Sequence, residues 1–384
     1  VNIDMMTNHN NKIEKLISEL CPNGVEFLEL GKLASIETGT QLNKTAMAEV
    51  GNYPVLNGGI NPSGFYHEYN TKENTIAISQ GGASAGYVNF VTTKFWAGAH
   101  CFVIKPIIDE INNRFLYFIL KNSQEKLQNA KLGAGIPGLN KRELQNFKIL
   151  IPPLAIQEEI VRILDSFTEL EAELEAELEE RKKQCEYYRD EMLSFGDEIE
   201  WNKLGEIVRI KNGKDWKKLR EGEIPVYGTG GIMGYVNKSV YNKPTVLIPR
   251  KGSITNLYYL EEPFWNVDTI YYTEINEEKI IPKFLFYYLK TLDLMKLDTG
   301  SGRPSLTQAI LNQIKIPVPP LKEQERIVSI LDKFDALVNG VDSRSGSGMT
   351  GSLPAEIKAR RQQYEYYRGK LLDFKPLSGR IRPL

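Results

Sequence analysis

Apolar positions along this 384-residue chain follow two periods. Short runs with β-type residues, Thr75-Ile76-Ala77-Ile78, Gly86 to Val91, Cys101 to Ile104, Thr245 to Ile248 and Thr269 to Tyr272, are punctuated by Gly, Asn and Pro and predict strands joined by turns. Helical stretches follow at Asn113 to Gln128 and Lys283 to Met295, then a Gly-rich loop and a short strand ending in Pro-Pro. After Pro152-Pro153 and Pro319-Pro320 the apolar spacing becomes three and four: Ile156, Ile160, Ile163, Phe167, Leu170, Leu174 and Leu178, then Cys185, Tyr188, Met192 and Phe195. This pattern predicts a helix with a coiled-coil-like seam, about 40 residues and ~60 Å long at the α-helical rise. A helix of that length outruns its own domain and needs a partner along its seam.

The pattern occurs twice because the chain is a tandem repeat. IPPLAIQEEIVRILDSF (151–167) matches VPPLKEQERIVSILDKF (318–334) at 11 of 17 positions, and QCEYYRDEMLSF (184–195) matches QYEYYRGKLLDF (363–374) at 7 of 12. GAGIPGLN (133–140) answers GSGRPSLT (300–307), and NRFLYFILK (113–121) answers PKFLFYYLK (282–290). Between these anchors the copies diverge, as expected of two modules that share a scaffold and recognise different things. The period is too long for a solenoid. The expected boundaries are a partial helix in 1–23, a first domain at 24–155, a long spacer helix at 156–198, a second domain at 199–320 and a C-terminal helical region at 321–384 interrupted at 343–353. The partial helix Ile13 to Leu20 is placed where Tyr187 to Phe195 stands ahead of the second domain. The fold class is α+β: two similar domains in tandem separated by long helices, which as an antiparallel pair would relate the copies by a pseudo-two-fold axis.

Within the spacer, Leu170-Glu-Ala-Glu, Leu174-Glu-Ala-Glu, Leu178-Glu-Glu has a period of four, a stutter in the supercoil. Glu177 with Arg181 and Glu179 with Lys183 have the favourable i,i+4 order. In the second copy, Ser343 to Ser352 is rich in Gly and Ser and predicts a flexible joint between helices at about 321–340 and 354–374.

Hydrophobic content of 41% with 25% charge places the chain among globular proteins. Its apolar runs are too short to span a bilayer, and the polar start VNIDMMTNHNNK offers no secretion signal, so a cytoplasmic protein without a membrane partner is expected. Three dispersed cysteines support neither a disulfide framework nor a structural zinc site. The net charge of −1 conceals segregation: residues 151–200 hold 5 basic and 16 acidic groups, whereas 24–150 hold 12 and 10, and 201–317 hold 17 and 12.

No phosphate loop or His-x-x-x-His pair is present, so neither catalytic residues nor a bound metal or cofactor are expected. Asp268 and Glu274 imitate a nuclease metal site poorly, with Asn276 where a lysine is required, and His100-Cys101 reads as structural. Signals for nucleic-acid contact are better. Lys211, Lys214, Lys217, Lys218 and Arg220 cluster around Trp216 at a density suited to phosphates. Arg250-Lys251-Gly252-Ser253 follows a strand, where Gly permits close approach and Arg suits a guanine edge. The equivalent place in the first copy holds Gln80-Gly81-Gly82-Ala83-Ser84, where Gln suits adenine. Arg303 and the Gly loops 57–59 and 228–231 are weaker candidates.

The doubled signature Pro-Pro-Leu-x-x-Gln-x-x-Ile-Val-x-Ile-Leu-Asp-x-Phe and Gln-x-Glu-Tyr-Tyr-Arg, around two divergent domains, resembles the specificity subunit of type I restriction–modification enzymes over about residues 13–375. The resemblance implies a non-catalytic subunit whose two target recognition domains each read half of a gapped, bipartite double-stranded DNA target. It implies helices that space the domains and dock two modification subunits, which use S-adenosylmethionine, with restriction and translocase subunits in the full complex. The residues it assigns to the coiled coil and partner docking are Gln157, Ile160, Ile163, Phe167, Leu170, Leu174, Leu178 and Tyr188, with Gln324, Ile327, Ile330, Phe334 and Tyr367. The Leu-Glu-Ala-Glu run looks like that family's spacer repeats. A non-DNA coiled-coil scaffold and a self-sufficient nuclease or methyltransferase are the alternatives.

Overall fold

A computed structural model describes residues 3–129, 138–298, 302–339 and 352–377. The expected joint at 343–351 and parts of the two Gly-rich loops lie outside the described residues; Ser352, at the end of that joint, accepts from the Ala355 N–H at 3.3 Å and caps the following helix. The chain divides into two compact units, residues 1–173 with 358–384, and residues 174–357. The cut falls inside the central helix, whose first half belongs to the first unit and whose second half belongs to the second.

In the first unit a four-stranded antiparallel sheet runs in the order Ala34–Thr38, Cys101–Pro106, Thr75–Ser79, Val88–Val91. Beside it, Tyr53–Leu56 pairs antiparallel with Phe65–Tyr66 and parallel with Trp96–Ala97. A two-stranded ribbon, Glu26–Glu29 with Lys148–Ile151, leads into the central helix Leu154–Met192. The second unit repeats each feature: Val208–Asn212, Ile270–Ile275, Thr245–Pro249 and Tyr258–Leu260 form one sheet. Gly231–Val236, Ile224–Gly228 and Trp265–Asn266 form the other. The ribbon Trp201–Lys203 with Lys315–Pro317 precedes the helix Leu321–Asn339. The central strands Thr75–Ser79 and Thr245–Pro249 are buried on both faces, which explains their unbroken apolar character. Helices Asn113–Asn122 and Pro282–Thr291 cover the sheets; each starts with its own device, an Asn112 side chain accepting from two N–H groups in one and a proline in the first turn in the other.

The start of each long helix is tied to its globular part by a fully buried glutamine. The Asn112 N–H donates to Gln157 Oε1 at 2.9 Å, and Gln157 Nε2 donates to the carbonyls of Glu110 at 2.9 Å and Pro152 at 2.7 Å. Gln324 repeats the set on Ile281 N–H, at 2.8 Å, and the carbonyls of Lys279 and Pro319, at 3.0 and 2.8 Å. Two turns on, Arg114–Asp165 and Lys283–Asp332 close the same junctions at 2.7 and 2.8 Å. Both glutamines were expected on the docking seam. Both are fully buried and spend their amide N–H groups on backbone carbonyls of their own unit, which puts them at the helix–domain junction rather than on a surface open to a partner.

Ile160, Ile163 and Phe167 are likewise enclosed in the first unit's core and Ile327 in the second's, because the first turns of each helix lie against their own sheet and cover helix. Phe167 stacks on Tyr367 at 5.7 Å in the first unit, and its repeat partner Phe334 stacks on Tyr188 at 5.9 Å in the second. Each unit thus borrows one helix from a distant part of the chain, running antiparallel to its own. Ile330 and the seam residues Leu170, Leu174 and Leu178 are half-buried, and the helix is continuous through the four-residue repeat. There the ion pairs run Lys182–Glu179 at 2.6 Å and Lys183–Glu180 at 2.9 Å, so the expected Glu179–Lys183 pair gives way to i,i+3 pairing, while Glu177–Arg181 is kept at 3.5 Å.

The N-terminal helix, Ile3–Leu20, also departs from its expected role. Leu371, Leu372 and Phe374 enter the first core as Met192, Leu193 and Phe195 enter the second, and Val25 N–H donates to Lys375 carbonyl at 2.9 Å. Ile13 joins that core as an addition.

Replacing Gln157 with Ala strands one buried N–H and two carbonyls, a cost of roughly 2–4 kcal/mol. Hydrogen exchange is expected to show the Asn112 amide losing protection in Gln157→Ala while the Ile281 amide is unchanged, and the reverse in Gln324→Ala.

Candidate nucleic-acid interface

At one end of each pair of sheets the strand-connecting loops converge on a shared backbone frame. In the first unit, Thr40 N–H donates to Ala97 carbonyl at 2.8 Å, and Trp96 Nε1 to Thr40 carbonyl at 3.0 Å. Gln80 N–H donates to His100 carbonyl at 2.9 Å, and Leu139 N–H to Gln80 carbonyl at 2.7 Å. In the second unit the equivalent bonds are Lys214 N–H to Asn266 carbonyl at 2.9 Å, Trp265 Nε1 to Lys214 carbonyl at 2.9 Å, Arg250 N–H to Thr269 carbonyl at 2.8 Å and Leu306 N–H to Arg250 carbonyl at 2.9 Å. Gly39 and Gly213 begin the first of these loops. A Cβ there would collide with the carbonyl oxygens of Ala97 and Gly98, or of Asn266 and Val267, so only glycine lets the loop turn so close to its neighbour. Gly82 and Gly252 hold the equivalent positive φ of 75° and 86°.

One backbone therefore presents two sets of side chains. Where the first unit shows Thr40, Gln41, Leu42 and Asn43, the second shows Lys214, Asp215, Trp216 and Lys217; Gln80 and Gly81 give way to Arg250 and Lys251. Thr40, Asn43, Lys214, Lys217, Lys218, Lys251, Ser253 and Arg303 are exposed; Gln80, Ser84 and Arg250 are half-buried. Arg250 extends its guanidinium toward the Asp268 carbonyl at 3.5 Å. The segment after Arg303 is anchored by the Lys251–Ser305 bridge, matching Gly81–Gly138 in the first unit.

In the second unit the loops enclose a concavity of about 800 Å³ whose lining includes Lys214, Trp216, Lys217, Met233 and Asp268. Trp216 lies over Gly234, where a Cβ would come within 2.8 Å of its ring. The hairpin turn at its rim is held by Asn256 Nδ2 and Tyr258 OH, which donate to the Thr229 carbonyl at 3.2 and 3.0 Å.

Two residues expected in this cluster stand apart. Lys211, on the strand, faces Glu274 at 3.7 Å, so its charge is matched inside the sheet. Arg220 lies at the far end of the hairpin strands, its carbonyl accepting from Asn237 N–H at 3.0 Å, because the loop runs the length of the hairpin before re-entering the sheet. The Gly loops 57–59 and 228–231 do join the cluster: His100 N–H donates to Asn57 Oδ1 at 3.1 Å, and Gly231 has φ +105°. Sequence reasoning missed the Thr40–Lys44 loop, whose signal was the register of Trp96 with Trp265, and the exposed hairpin residues Ile232, Met233 and Tyr235.

His100 supplies only backbone to this frame, and burial pushes the adjacent Cys101 thiol up to about 12, as expected of a structural cysteine. Among the described residues no three His, Cys, Asp or Glu side chains converge, and no helix is long and apolar enough to cross a membrane.

The family model described as the type I restriction modification DNA specificity domain matches residues 22–180 and again 197–342. A Haemophilus influenzae protein named as a type I restriction enzyme specificity subunit is 31% identical, over 96% of this chain and 100% of its own length. The specificity subunit of an Escherichia coli type I restriction enzyme is 36% identical over 58% of this chain and 60% of its own. Among solved structures, the specificity subunit of a type I restriction–modification system from Mycoplasma genitalium superposes with a TM-score of 0.58 at 25% identity, covering 91% of this chain and 96% of the other. With two matching copies around two equivalent loop faces, this chain belongs to the type I restriction–modification DNA specificity family.

Proposed function

We propose that each loop face reads one half of a gapped, bipartite double-stranded DNA sequence and that the long helices set the gap. The observation that carries this reading is the repeated backbone frame filled by unlike side chains. A scaffold that keeps Gly39 and Gly213, Trp96 and Trp265, and the bonds between them, yet exchanges Gln80 for Arg250, suits two faces with one docking geometry and different base preferences. Gln80 is suited to adenine and Arg250 to guanine in the major groove, with Lys251, Ser253 and Arg303 beside it and Gly81 and Ser84 shaping the first face. The chain itself is non-catalytic in this reading. Methyl transfer and translocation belong to the modification and restriction subunits that assemble on it.

For that assembly the docking residues are revised from the enclosed seam to the outward face of the same helices. Tyr188 and Tyr367 are engaged with Phe334 and Phe167, but the preceding tyrosines of each Glu-Tyr-Tyr-Arg motif, Tyr187 and Tyr366, are 65% and 64% exposed. Each meets its neighbour edge-on, at 5.5 and 5.2 Å, which fixes its ring for a partner. Two equivalent aromatic anchors match two copies of a modification subunit, as tyrosine is prominent among interface hot spots.

Arg250→Ala in the assembled complex is expected to weaken binding by about 1–3 kcal/mol and relax the preference at one base of one half-site only. Equal weakening on all sequences, measured by competition binding, would make Arg250 a phosphate contact. Tyr187→Ala and Tyr366→Ala are each expected to cost about 2 kcal/mol in association with one modification subunit. Native mass spectrometry of co-expressed subunits would then show loss of one copy per substitution; retention of both would place docking elsewhere.

A further inference from the structure

The two loop faces share a frame but differ in charge. At corresponding loop positions the second unit carries Lys214, Lys217, Lys218, Arg250, Lys251 and Arg303 against Asp215 and Asp268, whereas at those positions the first carries Lys44, its further exposed charges Lys141 and Arg142 standing beyond Leu139 where the second has Gln308 and Ala309. In particular Lys214 replaces Thr40, Lys217 replaces Asn43, and Arg250-Lys251 replaces Gln80-Gly81. The extra lysines are exposed and held in place rather than loose. Lys214 is fixed through its backbone to Asn266 and Trp265, and Lys217 N–H donates to Asp215 Oδ1 at 3.2 Å. Between them Trp216 lies over Gly234, so the two lysines flank an aromatic surface at the lip of the concavity.

Building on the DNA-reading role above, we infer that the second face is the electrostatic anchor of the complex and the first face its short-range discriminator. Lysine and arginine act on phosphates from about a Debye length, ~8 Å at physiological salt, before any base is touched. Neutral Gln80, Asn43 and Thr40 act only at hydrogen-bond distance, after the duplex has been seated. The second half-site therefore governs capture and salt sensitivity. The first governs whether a captured duplex is accepted.

The test uses the chain assembled with its modification subunits and a duplex carrying the mapped methylation motif, with Kd measured across a salt series. Removing two phosphate contacts lowers the slope of log K against log salt by about 1.8. Lys214→Ala with Lys217→Ala is expected to give that reduction on matched and mismatched duplexes alike. Thr40→Lys with Asn43→Lys, which installs the same charges on the first face, is expected to steepen the slope by a similar amount. At low salt, a duplex keeping only the second face's half-site should bind at least tenfold more tightly than one keeping only the first's, with the gap closing as salt rises. Motif preference with equal half-site affinities, or with a slope unmoved by the lysine substitutions, would overturn the anchor alone. No preference for motif over scrambled duplex would overturn it together with the DNA-reading role.

Discussion

The buried amide of Gln157, and of Gln324 in the second unit, is the constraint on which the rest depends. A long helix leaving a small mixed sheet through a Pro-Pro turn would swivel if only apolar contacts held it, because such contacts lack direction. The glutamine supplies direction: one amide ties the turn before the cover helix to the first turn of the long helix through three backbone partners. An ion pair two turns later, Arg114–Asp165 or Lys283–Asp332, supplies a second point, so position and rotation are both set. Any function that measures distance along DNA needs such a junction, since a loop face free to turn on its helix would read no fixed register.

The same economy governs the loop faces. Their backbone bonds are made by main-chain groups, by tryptophan N–H groups and by glycines in places a Cβ could not enter. Side chains that point outward are therefore free to vary without disturbing the frame. This separation explains how two copies keep one architecture while one shows Gln80 and Thr40 and the other Arg250 and Lys214. It also places their difference in net charge where it bears on a polyanion.

Much of this was legible in the sequence. The duplication, the strand runs around Thr75–Ser79 and Thr245–Pro249, and the long helix after each Pro-Pro all follow from period and composition, because burial on a sheet and along a helix leaves different spacings. What periodicity hid was which neighbour covers each apolar position. Ile160 and Ile163 have the spacing of a seam, and the same spacing serves a helix laid against its own domain, whereas Phe167 does meet the antiparallel helix at Tyr367. Gln157 and Gln324 look like surface glutamines until their backbone partners, some 45 residues upstream, are brought beside them. The return of Leu371 to Phe374 to the first core is a long-range pairing of the same kind. At the loop faces, Arg250 and Gln80 lie together with the other loops because both directly follow central strands, while Lys211 lies on a strand and Arg220 at the far end of a hairpin, since a charge cluster in sequence gives no hint of where each residue falls along a strand or loop.

The most direct test of the account is to map methylated positions genome-wide for cells expressing the modification subunit with this chain, and with a form lacking Leu174 to Glu177. That deletion removes ~6 Å of helix. The account predicts an asymmetric motif of two short words for the intact chain, and for the shortened chain either the same two words at a changed separation or no methylation at all. The same words at an unchanged separation, or a motif without a gap, would contradict it.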